Sequence, residues 1–161
     1  MNSGTAISGL IIIVLTLTPF LVMFYNRKRK ENKLLLSFKA NAAQINCSID
    51  QHELCGDFIL GVDKKHSHAF FIKQSKSDLV FQAVDLSAYR DCRVAIKTRK
   101  VEHELSSLVI NERVELIFKS GQKEQGEMRF ELFDENVNMQ LSGELQCAEN
   151  WAQLFNSKLG N

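Results

Sequence analysis

Nineteen consecutive residues, Ile7 to Tyr25, carry no charged side chain, and twelve of them are Leu, Ile, Val or Phe. As a helix rising about 1.5 Å per residue, such a run reaches roughly 28 Å, the thickness of a bilayer's hydrocarbon core. Each large apolar residue favours insertion by about 0.3–0.6 kcal/mol, which outweighs the cost of Ser8, Gly9, Thr16, Thr18 and Pro19. Pro19 would break a soluble helix, but a membrane helix accommodates it as a kink. Tyr25 ends the run where an amphipathic ring suits the headgroup layer. The expectation is a single-span anchor lying in the bilayer through residues 7–25.

A cleaved secretory signal would have a basic start, a shorter apolar stretch and a small-residue cleavage site. Here Met1 to Ala6 has no Lys or Arg, and Phe24-Tyr25-Asn26-Arg27-Lys28 stands where an Ala-x-Ala site would be. The basic collar Arg27-Lys28-Arg29-Lys30 follows the span. By the positive-inside rule it places the N-terminus outside and the rest in the cytoplasm, beneath a cell inner membrane. A collar of this kind also attracts anionic headgroups, by roughly 1 kcal/mol per basic residue.

Charge divides the chain further. Residues 26–39 sum to +5 and residues 40–161 to −4. A nucleic-acid binder collects basic charge on its folded part, so that class is disfavoured. Eleven Phe and 45% apolar residues exclude a disordered chain. Three regions are expected: an anchor at 1–26, the collar with a juxtamembrane helix at 27–45, and a folded cytoplasmic domain at 46–161. The helix is read from Leu34, Leu35, Phe38, Ala42 and Ile45, at spacings of three and four.

Beyond it the period becomes two. Ile45–Asp50, Phe58–Val62, Ala69–Lys73, Leu79–Val84, Cys92–Lys97, Val114–Phe118 and Met128–Phe133 read as seven short strands, with Thr98–Ser107 as a loop. Leu141, Leu145, Ala148, Ala152, Phe155 and Leu159 then form a helical stripe that Trp151 and Leu154 widen. Ser142 with Glu144 suits its start, and Lys158 with Gly160 its end. The fold class is therefore mainly β (α+β): antiparallel strands covered by a C-terminal amphipathic helix, with Trp151, Leu145 and Phe155 as structural core.

That order resembles the pleckstrin-homology (PH) superfold, a seven-stranded antiparallel barrel capped by one helix. The segment Glu144-Leu145-Gln146-Cys147-Ala148-Glu149-Asn150-Trp151-Ala152-Gln153-Leu154-Phe155 is similar to that family's last helix, whose Trp packs into the barrel's open end. Ile59–Asp63 with Ala69–Lys73 resembles its early hairpin, and Val84–Tyr89 a later strand junction. The likeness covers about residues 46–158 and implies a PH-like barrel. Phosphoinositide-binding members carry a Lys and an Arg-x-Arg around a long first loop. The matching connection here, Cys55-Gly56-Asp57, is short and has no basic residue. The whole chain also resembles short single-anchor membrane proteins of Bacteroidota, which suggests a compartment rather than a mechanism.

Catalytic motifs do not emerge: there is no Gly-rich phosphate loop, no G-x-S-x-G and no H-E-x-x-H. His66-Ser67-His68 puts two imidazoles on one side of a strand, with His52, Cys55 and Asp63 as the nearby ligand types for zinc; a structural or solvated role is expected instead. Cys92 beside Arg93, with His103 available, is a weak thiol-catalysis pattern. Glu102/Glu104 and Asp134/Glu135 read as solvated acidic pairs. The four cysteines lack close CxxC spacing and read as small core thiols in a reducing compartment. No enzyme, cofactor or metal is expected. The expected role is a non-enzymatic adaptor showing a protein or peptide surface to an unidentified membrane-associated protein; the alternative is contact with anionic lipid. Candidate contacts are Arg27, Lys28, Arg29, Lys30, Lys64 and Lys65, and whichever of Phe70 and Phe71 faces solvent. A free sheet edge and the groove beside the last helix are the surfaces expected to serve a partner.

Overall fold

The computed structural model describes residues 3–63, 65, 67–75, 78–103, 106–121, 126–138 and 141–159. Helix α1 runs Ser3–Gln44, with Pro19 inside it. The chain divides into two compact units at Leu36/Ser37.

The first unit is the apolar helix. From residue 11 to 25 its side chains are exposed, as lipid-facing ones would be. The Thr16 hydroxyl donates to the carbonyls of Ile12 and Ile13, both at 3.0 Å, and Thr18 donates to Val14. Each hydroxyl is thereby satisfied within the helix, which lowers the cost of placing it in hydrocarbon. This helix is long and apolar enough to cross a membrane. In the collar Arg29 lies 4.6 Å from the Tyr25 ring centroid and Arg27 pairs with Glu31 at 3.0 Å.

The second unit holds two antiparallel sheets. Strands β1 (Gln51–Cys55), β2 (Phe58–Asp63), β3 (His68–Ser75) and β4 (Asp78–Asp85) form the first, in that order. Strands β5 (Tyr89–His103), β6 (Ser106–Ser120) and β7 (Met128–Asp134) form the second. Helix α2 (Glu144–Asn156) follows. Seven strands and a terminal helix agree with the sequence pattern, but the closed barrel does not. The sheets do not pair with each other among the described residues. Lys73 on β3 reaches across to β7, donating to the Glu131 carbonyl at 3.3 Å. A long side chain there spans a seam that a barrel would close with a backbone ladder.

Two strand boundaries also differ. Residues 45–50 are not a strand; they form a strap, with the Ser48 N–H donating to buried Asp63 at 2.9 Å. The first strand is Gln51–Cys55, which among the described residues pairs only with β2 and is mostly exposed, so apolar alternation does not mark it. The expected loop at 98–107 is mostly strand: β5 and β6 pair along their length to His103/Ser106. The ladder is made by backbone groups, so it extends outward from the packed part of β5 and β6 through residues whose side chains are polar.

Between the sheets lies one core. β2 and β3 contribute Phe58, Leu60, Val62, Ala69 and Phe71; the second sheet adds Cys92, Val114, Leu116, Phe118, Phe130 and Leu132. From α2 come Cys147, Ala148, Trp151, Ala152 and Phe155, with Leu145 partly buried against them. The Trp151 indole N–H donates to Glu53 at 2.7 Å, so its one polar atom is satisfied.

The first sheet is covered on its other face too. Residues 37–44, the C-terminal part of α1, belong to the second unit; Phe38 lies on Gly61, Phe70 and Phe81, and Ala42 is buried too. Phe38 is edge-on to Phe70, with centroids 6.3 Å apart. Gly61 makes room for it, since a Cβ there would stand 2.8 Å from the Phe38 ring.

Candidate functional site

The candidate site is the outer edge of β5 where the last turn of α2 meets it. β5 is the first strand of its sheet, so only one of its edges is paired. On the other edge, the Cys92 N–H donates to Asn156 Oδ1 at 2.9 Å and Asn156 Nδ2 donates to the Cys92 carbonyl at 2.6 Å. One side-chain amide thus makes both bonds that a neighbouring strand would make there.

Backbone groups alternate between the two edges of an antiparallel strand. The β5–β6 register runs without a shift from Asp91 to Lys97. Val94 and Ile96 therefore point their N–H and C=O groups the same way as Cys92, outward. No other strand of the described residues pairs with that edge. Side chains alternate across the two faces. Cys92 is core, Val94 is half-buried against it, and Ile96 is 44% exposed. The opposite face carries Arg93 and Lys97, both exposed. Lys97 pairs with Glu112 at 2.9 Å, and Arg93 makes no ion pair among the described residues. Arg90, Arg93, Lys97, Arg99 and Lys100 stand on β5 against the single acid Asp91 through residue 100.

The residues singled out from sequence fall elsewhere. Arg27, Lys28, Arg29 and Lys30 are exposed on α1. Lys65 is exposed in the β2–β3 turn, where its N–H donates to Asp63; Lys64 and His66 lie outside the described residues. A solvent-facing ring was expected from Phe70 or Phe71, and neither is one: Phe71 is in the core and Phe70 is under Phe38. Alternation does put the two rings on opposite faces, but both faces are covered. Asp134 is not a solvated acid either. It is buried, accepting from the Asn136 N–H and side chain and from Arg113 at 3.0 Å.

Cysteine chemistry is also redistributed. Cys55 and Cys147 form a disulfide between the end of β1 and α2, and Cys47 and Cys92 are free and buried. The four equivalent thiols expected from the sequence are therefore two kinds. Burial, with a further contribution from Asp91, pushes the Cys92 thiol up to about 12. It is neutral at physiological pH and no nucleophile. Burial, then Asp63, likewise raises Cys47. Glu53, Cys55 and Cys147 bring ligand-type atoms within 4.8 Å of one another. In the disulfide state the two sulfurs are bonded to each other and Glu53 accepts from Trp151, so in that state the trio offers no thiolate pair.

The β1–β2 turn, which the PH resemblance set against a lipid-binding loop, is Gly56-Asp57. Gly56 adopts φ +62°, and Glu144 packs against it. The turn's own Asp57 and the neighbouring Glu144 are both acidic, the wrong sign for a phosphorylated headgroup. No family model, curated protein or solved structure matches this chain.

A free sheet edge and the groove beside the last helix were expected, but that the edge is β5 and that Asn156 brackets it were missed, because no local pattern marks which strand is an edge. The available signal was the basic run from Arg90 to Lys100, where strand residues alternate charged and apolar. Its meaning depends on which side of β5 lacks a partner.

Proposed function

We propose that this chain is a membrane-anchored, non-enzymatic binding module whose folded body recruits a protein partner through the β5 edge beside α2. The Asn156 amide bracketing Cys92 carries this reading. It is the hydrogen-bond geometry of strand addition, already begun by the protein's own side chain. The element order, four strands, three strands and a helix with a core Trp, supports a PH-like ancestry. That superfold binds many kinds of ligand, so fold alone does not name the partner.

The anchor raises the body's local concentration near other membrane proteins, so weak contacts suffice. Crosslinked co-purification from native membranes tests the reading, with residues 1–39 alone as the control. A partner retained only by the full chain supports it. Identical recoveries by both mean that the anchor recruits and the body does not.

The collar favours a cytoplasmic body. In that compartment Cys55 and Cys147 stand as two thiols, poised to form their bond on oxidation. Acid-quenched alkylation of whole cells, read on a denaturing gel, is expected to label all four cysteines. A bond already intact in those cells would put the body on the oxidising side and reverse the topology.

A further inference from the structure

We infer that the occupant of the β5 edge is an extended segment of a partner in which acidic and apolar residues alternate. The inference rests on the binding-module reading and gives it a ligand class. Outward N–H and C=O groups at Val94 and Ile96 can pair with an incoming backbone, and Asn156 closes the edge at Cys92. The docked strand therefore begins beyond Cys92 and runs along Val94 and Ile96.

An added strand continues the pleat, so its side chains alternate between the same two faces as those of β5. On one face its residues lie beside half-buried Val94 and exposed Ile96, which favours apolar side chains. On the other they lie beside Arg93, which makes no ion pair among the described residues, and Lys97, which already pairs with Glu112, so Asp or Glu is favoured chiefly beside Arg93. A second copy of this chain presenting the same edge would set Arg93 and Lys97 against their own counterparts. Charge thus argues against self-pairing and for an acidic partner.

The full-length protein in nanodiscs of zwitterionic lipid would be titrated with a labelled peptide of about nine residues alternating Glu and Val, the length of an ordinary strand. Two control peptides replace Glu by Lys, or carry N-methyl groups on alternate amides. The Glu/Val peptide is expected to bind at least about tenfold more tightly than the Lys/Val one. N-methylation should abolish binding, because it removes the donors that pair with β5 while keeping the charge. Arg93→Glu should weaken binding by about tenfold or more.

Ile96→Pro should eliminate it. The Ile96 N–H points outward, so Pro costs no β5–β6 bond, and edge strands tolerate it. An unchanged circular dichroism spectrum and Tm would show that the variant folds, and Arg93→Glu gives a second route if it does not. Equal binding of the native and N-methylated peptides would overturn the inference, as would binding indifferent to Ile96→Pro. Binding lost in anionic nanodiscs through Arg93 and Lys97 would make the edge a lipid-facing surface instead, and overturn it too. If the peptide fails while the full chain still captures a partner that residues 1–39 do not, only the ligand class is wrong.

Discussion

The two sheets solve the same packing problem differently. In the first, the two central strands are buried on both faces: β2 at every position from Phe58 to Asp63, and β3 from Ala69 to Lys73, while the edge strands β1 and β4 are mostly exposed or half-buried. Its sequence accordingly reads Phe58-Ile59-Leu60-Gly61-Val62 and Ala69-Phe70-Phe71-Ile72, nearly continuous in apolar residues. The second sheet buries one face. Its β6 and β7 alternate, as in Val114-Glu115-Leu116 and Phe130-Glu131-Leu132, and the outer face is a lattice of ion pairs. Arg113 meets Glu115, Glu131 and Asp134, and Arg129 meets Glu115 and Glu127. A continuous apolar strand in an antiparallel sheet is therefore a statement about a second covering element, here residues 37–44. The sheet that is covered twice has little face left to offer. Both sheets have edge strands paired on one side only, and the candidate site lies on the sheet that also has an open face.

The sharpest way to break this contrast is Phe70→Ala. If the outer face of the first sheet is core, the loss is about 3–5 kcal/mol in urea or thermal unfolding. A change under about 0.5 kcal/mol would mean that the ring is solvated and the two sheets are alike. Reducing the Cys55–Cys147 bond, which closes a loop of 92 residues, should lower stability by about 2–4 kcal/mol. The readout is a fall in Tm with reductant that the Cys55→Ser/Cys147→Ser variant does not show. Gly61→Ala drives a methyl group into Phe38 and should cost about 1–3 kcal/mol. Adding Phe38→Leu to it should recover part of that cost, since the clash is with the ring.

The smallest effects belong to the second sheet's charges. Asn136, first through its backbone N–H, holds the Asp134 carboxyl below its usual range, with Arg113 adding to it. Glu112 is lowered too, chiefly by its bond to Lys97. Folded pKa values below the unfolded ones give stability that is complete above the unfolded carboxylate range, near pH 4. It is lost as pH falls through the folded values. Unfolding midpoints should thus be flat from about pH 8 to 5 with respect to these groups and decline below about pH 4. Asp134→Asn should blunt that decline; an unaltered profile would mean that the lattice contributes nothing titratable.

Legibility in the sequence followed how local each feature is. The 3.6-residue period of α2 was readable because its stripe from Leu141 to Leu159 is written along one segment. Its start was not: Gly143, at φ +107°, holds the N-cap position in place of Ser142. The strands β2, β3, β6 and β7 were readable from their apolar content, whereas β1 was displaced by several residues. Gln51–Cys55 is exposed and held by its ladder to β2, and a ladder leaves no mark on composition. Of the candidate site, Arg93 and Lys97 were visible as charges, but Asn156 is 64 residues from the strand it brackets.

By itself, the sequence determined an uncharged apolar helix of membrane-spanning length, a basic collar, six of the seven strand segments and a terminal helix. These are consequences of hydrophobicity and periodicity, which act over a few neighbouring residues. Tertiary structure decided the split into two sheets, the burial of both Phe70 and Phe71, the pairing of Cys55 with Cys147 and the closure of β5 at Cys92. Each of those depends on which segments meet across dozens of residues. Such meetings are selected by the packing of whole faces and the satisfaction of backbone hydrogen bonds, and no short stretch of sequence contains either.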